Sequence, residues 1–387
     1  METQENQQKP LAPLEGVRVI SMAHLYPGPY CTMLLGDLGA DIIVVEQTGS
    51  GDPARLIPGY LSIINRNKKS ITLNLKSEKG KEICYKLAST SDIFIEGHRP
   101  GVVKRLGVDY DSIRKVNPEI IYCSISGYGQ DGPYRDYPAH DITYQGVAGI
   151  LTPTNSTIPI HNPWIALADL SSAMFATLGI FAALRVRERF GKGQFIDVSM
   201  LDSLISWMSV PLGIYFTLGY VHRTNWPAYG CYKTKDSKYI TLSVTVEDHF
   251  WVNLCSAIGR DDLGKMSLHL RVEKAEELRN ILQEAFMSRN REEWLEILKK
   301  ADVPCGPVLT LSEALKIPQI VYRNMIVEVE DKQGNRIKQV AHPLKFSKTP
   351  ARIWKLPPGI GEHTEEVLQD LGYETEQLEE FRKEGII

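Results

Sequence analysis

The first candidate for chemistry is one carboxylate, Asp169, near the start of a run of small and apolar residues over 166–184. The run leads into Arg185 and Arg187, so an acid begins it and cations end it, an order that suits a helix dipole. Carboxylates serve in enzymes as nucleophiles or as acid–base groups. An Asp before a helical run is more commonly an N-cap that accepts backbone N–H bonds. Asp169 is therefore a candidate catalytic residue that needs support from the rest of the chain.

A second set of candidates is basic. It lies near turns that adjoin predicted strands and comprises Lys68, Lys69, Arg99, Lys104 and Arg105. A single Lys or Arg beside a turn usually faces solvent. The repetition of cations at successive turns favours an anionic ligand, most simply a phosphorylated one.

The elements that must position these residues alternate between strands and helices. Short apolar strands are predicted at 17–20, 41–46, 71–75, 92–96, 120–126 and 195–200. Apolar strands separated by helices predict an α/β fold with a parallel sheet. In such a sheet the loops that follow the strands form the ligand crevice at the carboxyl edge.

A dinucleotide-binding site is the tempting alternative, because Glu46 at the end of the second strand imitates the ribose-binding acid of that fold. The first turn instead contains Pro27-Gly28-Pro29, whose ring nitrogens cannot donate to a pyrophosphate, and the chain has no G-x-G-x-x-G segment. The sequence therefore excludes that motif.

A different pattern occupies the middle of the chain. Residues 230–244 predict a β-hairpin that turns at Asp236 and Ser237, and amphipathic helices follow at 248–258, 274–287 and 291–301. This block predicts a second, smaller domain. A further hairpin is predicted at 325–330 and 337–340, and a charged helix begins at Thr364.

Composition is typical of a soluble enzyme. The chain has 387 residues, of which 43% are hydrophobic and 24% charged, and a net charge of -3 gives no basis for binding nucleic acid. Its six cysteines form no C-x-x-C pair, so neither disulfides nor a metal site is predicted. We expect a cytoplasmic protein, because the polar residues 1–9 do not resemble a secretory leader. No apolar run approaches the roughly 18 residues of a membrane span.

Nine short motifs occur in order along the chain: Pro27-Gly28-Pro29, Leu38-Gly39-Ala40-Asp41, Asn67-Lys68-Lys69-Ser70, Arg105-Leu106-Gly107, Ser126-Gly127-Tyr128-Gly129, Ala168-Asp169, Gly191-Lys192-Gly193-Gln194, Pro304-Cys305-Gly306-Pro307 and Gly361-Glu362-His363-Thr364. Each motif is weak when taken alone. Together and in this order they resemble the class III CoA-transferase family (CaiB/BaiF type), which includes formyl-CoA transferase, carnitine CoA-transferase and α-methylacyl-CoA racemase. The resemblance runs from about Leu14 to the C-terminus.

The resemblance implies a domain plan and an assembly. After a loose tail over 1–13, residues 14–222 and 321–387 would form a Rossmann-like large domain, and 223–320 a smaller α+β domain. Two subunits would interlock as a homodimer. The family uses coenzyme A and acyl-CoA as substrates, with a small carboxylic acid as partner and no permanently bound cofactor.

The same resemblance assigns site residues. CoA would lie on the large domain against Lys69, Leu73, Arg99, Lys104 and Arg105, with Tyr128 near the reacting thioester. Asp169 matches the family's catalytic aspartate, which attacks the acyl-CoA thioester to give a mixed anhydride and then an aspartyl-CoA thioester. Apolar surroundings would raise the pKa of this carboxyl, so backbone N–H groups at the helix start are expected to compensate.

A racemase of the same family is the alternative function. It exchanges the α-proton of a 2-methylacyl-CoA between two acid–base groups, here His140 with Glu247 on one side and Asp169 on the other. Against it, Gln145 is the residue that transferases usually carry, and 226–229 departs from the racemase segment. A purely structural role is the other interpretation of these two residues. His140 would be a hydrogen-bonded histidine beside a turn, and Glu247 a helix N-cap or first-turn acid.

Overall fold

The computed structural model describes residues 11–151, 164–220 and 225–387. The described residues fall into two compact units, the first within Met1–Val210 and Asn324–Ile387 and the second within Pro211–Arg323. Most of the predicted tail over 1–13, and the predicted boundary between 222 and 223, lie outside the described residues.

The first unit is built on a parallel sheet, which confirms the predicted α/β fold. The strand order is β3-β2-β1-β4-β5-β6, and every neighbouring pair is parallel. The order reverses at β1, where ligands bind in open sheets of this kind. The strands are β1 (Arg18–Ser21), β2 (Asp41–Glu46), β3 (Lys68–Thr72), β4 (Ile93–Glu96), β5 (Ile121–Ser126) and β6 (Gln194–Ser199).

Helices cover both faces of this sheet. Alternate strand residues enter separate cores: Ile20 and Phe94 pack on one face, and Val19 and Ile95 on the other. A 3-10 helix spans Pro53–Leu56. The helices up to β6 are α1 (Pro27–Asp37), α2 (Tyr60–Ile64), α3 (Glu78–Ser89), α4 (Val102–Leu106), α5 (Tyr110–Val116), α6 (Asp141–Val147) and α7 (Leu167–Phe190).

After β6 come α8 (Met200–Trp207) and α9 (Ser209–Leu218), and the boundary between the two units falls within α9. The first unit is completed by the antiparallel hairpin β10 (Ile326–Glu330) and β11 (Arg336–Val340), which confirms the predicted one. The predicted charged C-terminal helix is two helices, α17 (Thr364–Asp370) and α18 (Thr375–Lys383), and both contribute to the core with α3.

The second unit has its own antiparallel sheet and core. Its first two strands form the predicted hairpin, and its large buried side chains include Trp251 and Trp294. The strands are β7 (Tyr229–Lys233), β8 (Tyr239–Ser243) and β9 (Cys305–Pro307). The helices are α10 (Asp248–Ala257), α11 (Asp261–Gly264), α12 (Leu268–Glu273), α13 (Ala275–Phe286), α14 (Arg291–Lys300), α15 (Leu311–Ala314) and α16 (Pro318–Tyr322).

Helix α7 carries Asp169 and is long and apolar enough to cross a membrane by length and composition. A core helix of a globular protein passes the same test. Small side chains on one face, including Ala173 and Ala176, pack against the sheet and α1. The opposite face is apolar and exposed, with Leu178 64% exposed.

The Pro27-Gly28-Pro29 motif is the first turn of α1, and not a turn before the helix as its composition suggested. Proline is tolerated there because first-turn amides have no partner within the helix. A Cβ on Gly28 would lie 2.1 Å from the Cβ of Ala23, which follows β1. The motif therefore lets α1 start close against the strand that precedes it.

The segment from Asn67 also differs from the prediction, which placed its lysines before a strand over 71–75. Strand β3 starts at Lys68, so both lysines belong to the strand. Asn67 lies in the left-handed region (φ 59°), and its side-chain oxygen accepts the amides of Trp354 and Lys355 at 2.5 and 2.9 Å. Asn67 therefore ties the returning chain to the edge strand.

Candidate active site

Asp169 lies in the first turn of α7, but it does not cap the helix. The N-cap position is Ala166, so Asp169 is the third helical residue. Among the described residues, no side chain or amide donates a hydrogen bond to its carboxylate. The expected stabilisation by backbone N–H groups is therefore not found in this part of the chain.

Those amides are bound by a different carboxylate. Asp141, the first residue of α6, accepts Ala168 N–H at 2.7 Å and Asp169 N–H at 3.4 Å through one oxygen. Its other oxygen accepts the Gln145 side-chain amide at 2.5 Å. Helix α7 is thus capped from α6, and the Asp169 side chain is not used as a cap.

Burial, followed by repulsion from Asp141, raises the pKa of Asp169 from 3.8 to about 7. A carboxyl in such surroundings exchanges its proton near neutral pH, and its anion is poorly solvated. Both properties suit an acid–base group or a nucleophile.

Three tyrosine side chains lie close enough to Asp169 for its charge to raise their pKa values, and two of them, Tyr26 and Tyr60, were not predicted as site residues. Burial and then the charge of Asp169 raise the pKa of Tyr60. Burial, then Tyr30, then Asp169 raise the pKa of Tyr26. The rings of Tyr26 and Tyr60 meet edge to face, 5.6 Å between centroids. The position of Tyr26 directly before the Pro-Gly-Pro motif is the sequence feature that could have indicated it.

Tyr128 was predicted to lie near the reaction centre. Its ring meets that of Tyr144 edge to face at 5.1 Å. Burial, then Tyr128, then Asp169 raise the pKa of Tyr144 to about 12. Tyr128 therefore lies one aromatic ring away from the surroundings of Asp169.

A cavity of about 570 Å³ opens at the carboxyl ends of β1 to β4, the predicted ligand crevice. Its lining includes Leu73, whose predicted role was CoA contact, and also His24, His98 and Lys76. Burial lowers the pKa of His98 to about 4, so this ring is neutral at physiological pH. Asp169 does not line the cavity, but Tyr26 is only two residues beyond His24 and connects the two regions along the chain.

Arg99, Lys104 and Arg105 do not line this cavity themselves, but they lie between or beside residues that do. Val102 and Leu106, at the two ends of α4, line it, and Lys104 and Arg105 lie between them with exposed side chains. Arg99 is exposed on the loop that leads from β4 into α4. Lys76, which does line the cavity, was not among the predicted cations.

Lys69 lies elsewhere. It is paired with Ile43 in the sheet register, toward the amino end of β3, and its ammonium lies 3.0 Å from Glu366 and 3.8 Å from Asp41. It borders a separate, smaller cavity of about 300 Å³. Lys68 is buried, and its ammonium donates to the Pro29 carbonyl at 2.8 Å. The structure does not bring these two lysines together with Arg99, Lys104 and Arg105.

His140 and Glu247 both occupy helix N-cap positions, without side-chain capping bonds. His140 is exposed and precedes α6, directly beside Asp141. Glu247 precedes α10 in the second unit, and a hydrogen bond from the Thr245 hydroxyl at 2.8 Å lowers the pKa of its carboxyl. This position agrees with the structural interpretation of Glu247 as an N-cap residue.

Glu46, whose position resembles that of a ribose-binding acid, makes hydrogen bonds within the protein. Its carboxylate accepts the Arg55 guanidinium, the Ser70 hydroxyl at 2.6 Å and the Asp52 amide at 2.8 Å. Burial opposes ionisation, but these hydrogen bonds lower the pKa of Glu46. For metals, the described ranges contain no group of three or more His, Cys, Asp or Glu side chains that could hold an ion.

Comparisons with known proteins agree on one family. The pattern of CoA-transferase family III matches residues 14–364. The chain is 32% identical to succinyl-CoA:glutarate CoA-transferase from Homo sapiens, over 97% of this chain and 90% of that protein. It is 34% identical to acetyl-CoA:oxalate CoA-transferase from Acetobacter aceti, over 89% and 92%.

The fold agrees with the same assignment. The crystal structure of a CaiB/BaiF family protein from Brucella suis is similar, with a TM-score of 0.83 and 29% sequence identity. The match covers 93% of this chain and 99% of that one. The chain therefore belongs to CoA-transferase family III and is an enzyme of that class.

Proposed function

We propose that this enzyme moves CoA from an acyl-CoA donor to a small carboxylic acid, with Asp169 as the covalent nucleophile. The observation that carries the proposal is the half-buried carboxylate of Asp169 at the start of α7, without a hydrogen-bond donor among the described residues. Such an anion is more reactive than a solvated one, because no donor must be removed before it attacks.

The reaction has two symmetrical halves. An Asp169 oxygen attacks the thioester carbonyl, the C–S bond breaks, and CoA departs as its thiolate, which leaves the acyl group on Asp169 as a mixed anhydride. The thiolate then attacks Cγ of Asp169, giving an aspartyl-CoA thioester and releasing the donor acid. The acceptor carboxylate repeats these steps in reverse order and leaves with CoA. The resulting anhydride and thioester are both reactive enough to be opened in the next step.

The acyl-CoA is proposed to lie in the cavity at the carboxyl edge of the sheet. The exposed cations Arg99, Lys104 and Arg105 would bind its phosphates, and buried Leu73 would contact an apolar part. Charge-assisted bonds to phosphate are among the stronger polar contacts in proteins. Lys69 is left out of this set, because its ammonium is already paired with carboxylates at the other end of β3.

Two neighbouring tyrosines supply donors for this chemistry. The pKa values of Tyr26 and Tyr60 are raised, by burial first, so both phenols stay protonated at neutral pH. A protonated phenol can donate to the oxygen that becomes negative when Asp169 attacks. We assign Tyr128, whose ring packs on that of Tyr144, a contact with the acyl group.

The mechanism is tested by trapping the covalent intermediate. The enzyme is mixed with succinyl-CoA or acetyl-CoA, with glutarate or oxalate as acceptor, since these acids occur in the names of relatives. Hydroxylamine should convert Asp169 to a hydroxamate, detected on its peptide by mass spectrometry, only when acyl-CoA is present. Asp169→Ala should abolish both the hydroxamate and the transfer. Transfer that survives in Asp169→Ala would overturn the mechanism.

The racemase reaction remains as a second candidate, because His140 adjoins the residue that caps the Asp169 helix. It predicts that a chiral 2-methylacyl-CoA exchanges its α-proton in deuterated water, and that His140→Ala stops the exchange. Absence of deuterium uptake with the wild-type enzyme would remove this candidate. Uptake without any transfer to an acid would favour it.

We also propose that the enzyme is a homodimer of interlocked subunits, as the family resemblance implies. The outer face of α7 supports an association, because Met174, Leu178 and Phe190 expose 47%, 64% and 62% of their surface. None of the residues of α9 is buried. Analytical ultracentrifugation should give about twice the 43.6 kDa of one chain. A monomer at micromolar concentration would contradict the proposal.

A further inference from the structure

Asp141 has a role that neither the family resemblance nor the proposed chemistry assigns. It is the first residue of α6, and both of its oxygens are used. One oxygen accepts the amides of Ala168 and Asp169, at 2.7 and 3.4 Å, and the other accepts Gln145 at 2.5 Å. A carboxylate in the first helical turn normally serves its own helix. Asp141 instead serves the first turn of α7.

This arrangement changes what the helix start does for Asp169. Free first-turn amides and the positive end of the helix dipole would stabilise a nearby anion. In the described part of the chain, these amides are taken by Asp141, and Asp169 faces a second negative charge. Among the described residues, the other titratable groups that face Asp169 are Tyr26, Tyr60 and Tyr144, whose phenols carry no positive charge.

Gln145 fixes Asp141 in this position. Its side chain is fully buried in α6, one helical turn beyond Asp141, and its amide nitrogen makes the short bond to the carboxylate. Its amide oxygen is buried and has no partner among the described residues. Because the donor is held by burial, Asp141 is prevented from turning away from α7.

We propose that Asp141 is a positioning residue for Asp169: it occupies the amides that start α7 with its own carboxylate, and so leaves the Asp169 carboxylate in place, weakly solvated and reactive. The proposal rests on Asp169 being the nucleophile. Asp141 itself neither bonds to substrate nor forms an intermediate. Its effect is exerted through the geometry and the charge at one helix terminus.

The first test is Asp141→Asn, which removes the charge and keeps an oxygen for the Ala168 amide. Gln145 can turn its amide to present its unpartnered oxygen to the new side chain, so the fold should be kept. The acid limb of kcat/KM should move to lower pH by about one pH unit, because like charges raise a neighbouring carboxyl's pKa by such amounts. The plateau of kcat should fall, and KM for acyl-CoA should stay within about twofold of wild type.

A readout without turnover separates this inference from the proposed mechanism. The enzyme is labelled with ¹³C at aspartate Cγ, and the signal absent from Asp169→Asn is titrated in wild type and in Asp141→Asn. The midpoint should fall in Asp141→Asn, whether or not Asp169 later proves to be the nucleophile. An unchanged or higher midpoint overturns the inference, even if activity is lost.

Two further variants complete the design. Asp141→Ser is a second neutral acceptor for the helix amides, and it should reproduce the lower midpoint if Asp141→Asn does not fold. Asp109→Asn is the matched control, because Asp109 caps α5 by accepting the Ser112 amide at 3.3 Å. It should leave the titration of Asp169 and the pH profile unchanged. A shift in Asp109→Asn equal to that in Asp141→Asn would also overturn the inference.

Discussion

Replacing Asp169 with Asn should stabilise the enzyme, and more so at higher pH. Asp169 has a pKa raised from 3.8 to about 7, by burial first and then by Asp141. The native state therefore binds this proton more tightly than the unfolded chain does. Stability falls as pH rises from 3.8 to about 7, because ionising the buried carboxyl then costs more in the native state. Asn has the same shape and no charge, so the variant lacks this penalty.

The magnitude follows from the size of the pKa difference. One pKa unit corresponds to about 1.4 kcal/mol, so the rise from 3.8 to about 7 is worth on the order of 4 kcal/mol. Of this, roughly 3 kcal/mol should develop between pH 5 and pH 8. Urea unfolding of Asp169→Asn and wild type over this range measures it as the difference between their unfolding free energies.

Asp111→Asn provides the control, since Asp111 is a first-turn acid of α5 whose side chain is 72% exposed. It should alter stability at pH 8 by much less than Asp169→Asn does. If Asp169→Asn is no more stable than wild type at pH 8, or if the difference is the same at pH 5, the reasoning about the buried carboxyl is refuted.

Further predictions concern the fold and the ligand site. Gly28→Ala should destabilise the first unit by roughly 1–3 kcal/mol in urea unfolding, because the new Cβ would lie 2.1 Å from the Ala23 Cβ; wild-type stability would contradict the close approach. Asn67→Ala should lower the free energy of unfolding by about 2–4 kcal/mol, because it leaves the Trp354 and Lys355 amides without an acceptor. A loss below about 1 kcal/mol would contradict the role of Asn67 in holding the returning chain. Arg105→Ala should raise KM for acyl-CoA about tenfold, an effect that salt reduces, whereas Lys69→Ala should change it less than twofold. An equal change in KM for Arg105→Ala and Lys69→Ala would contradict the proposed CoA position.

The sequence predicted the parts of the fold whose patterns are local. The βαβ start, the hairpin at Asp236 and the amphipathic helices of the middle block all follow from periodicity and turn residues within about 30 residues. The start of β3 was wrong for a tertiary reason. Lys68 was predicted to lie in a loop, but its buried ammonium donates hydrogen bonds to the Pro29 carbonyl and to the Asn65 side chain.

The site was only partly predictable. Asp169 could be selected from its place before an apolar helix together with the family motifs. The role of Asp141 could not, because it depends on α6 meeting the start of α7, 27 residues further along the chain. The proximity of Tyr26 and Tyr60 to Asp169 could not be predicted for the same reason. Which side chains share a pocket depends on how loops pack, and no local pattern encodes that.

The central claim is that Asp169 carries the transferred group. The most direct measurement is mass spectrometry of the peptide that contains Asp169, after rapid mixing with acyl-CoA and quenching in acid. The account predicts an acyl or CoA adduct on this residue that disappears when the acceptor acid is added, and no adduct in Asp169→Asn. Full transfer activity in Asp169→Asn, or an adduct on a different residue that turns over with acceptor, would contradict it.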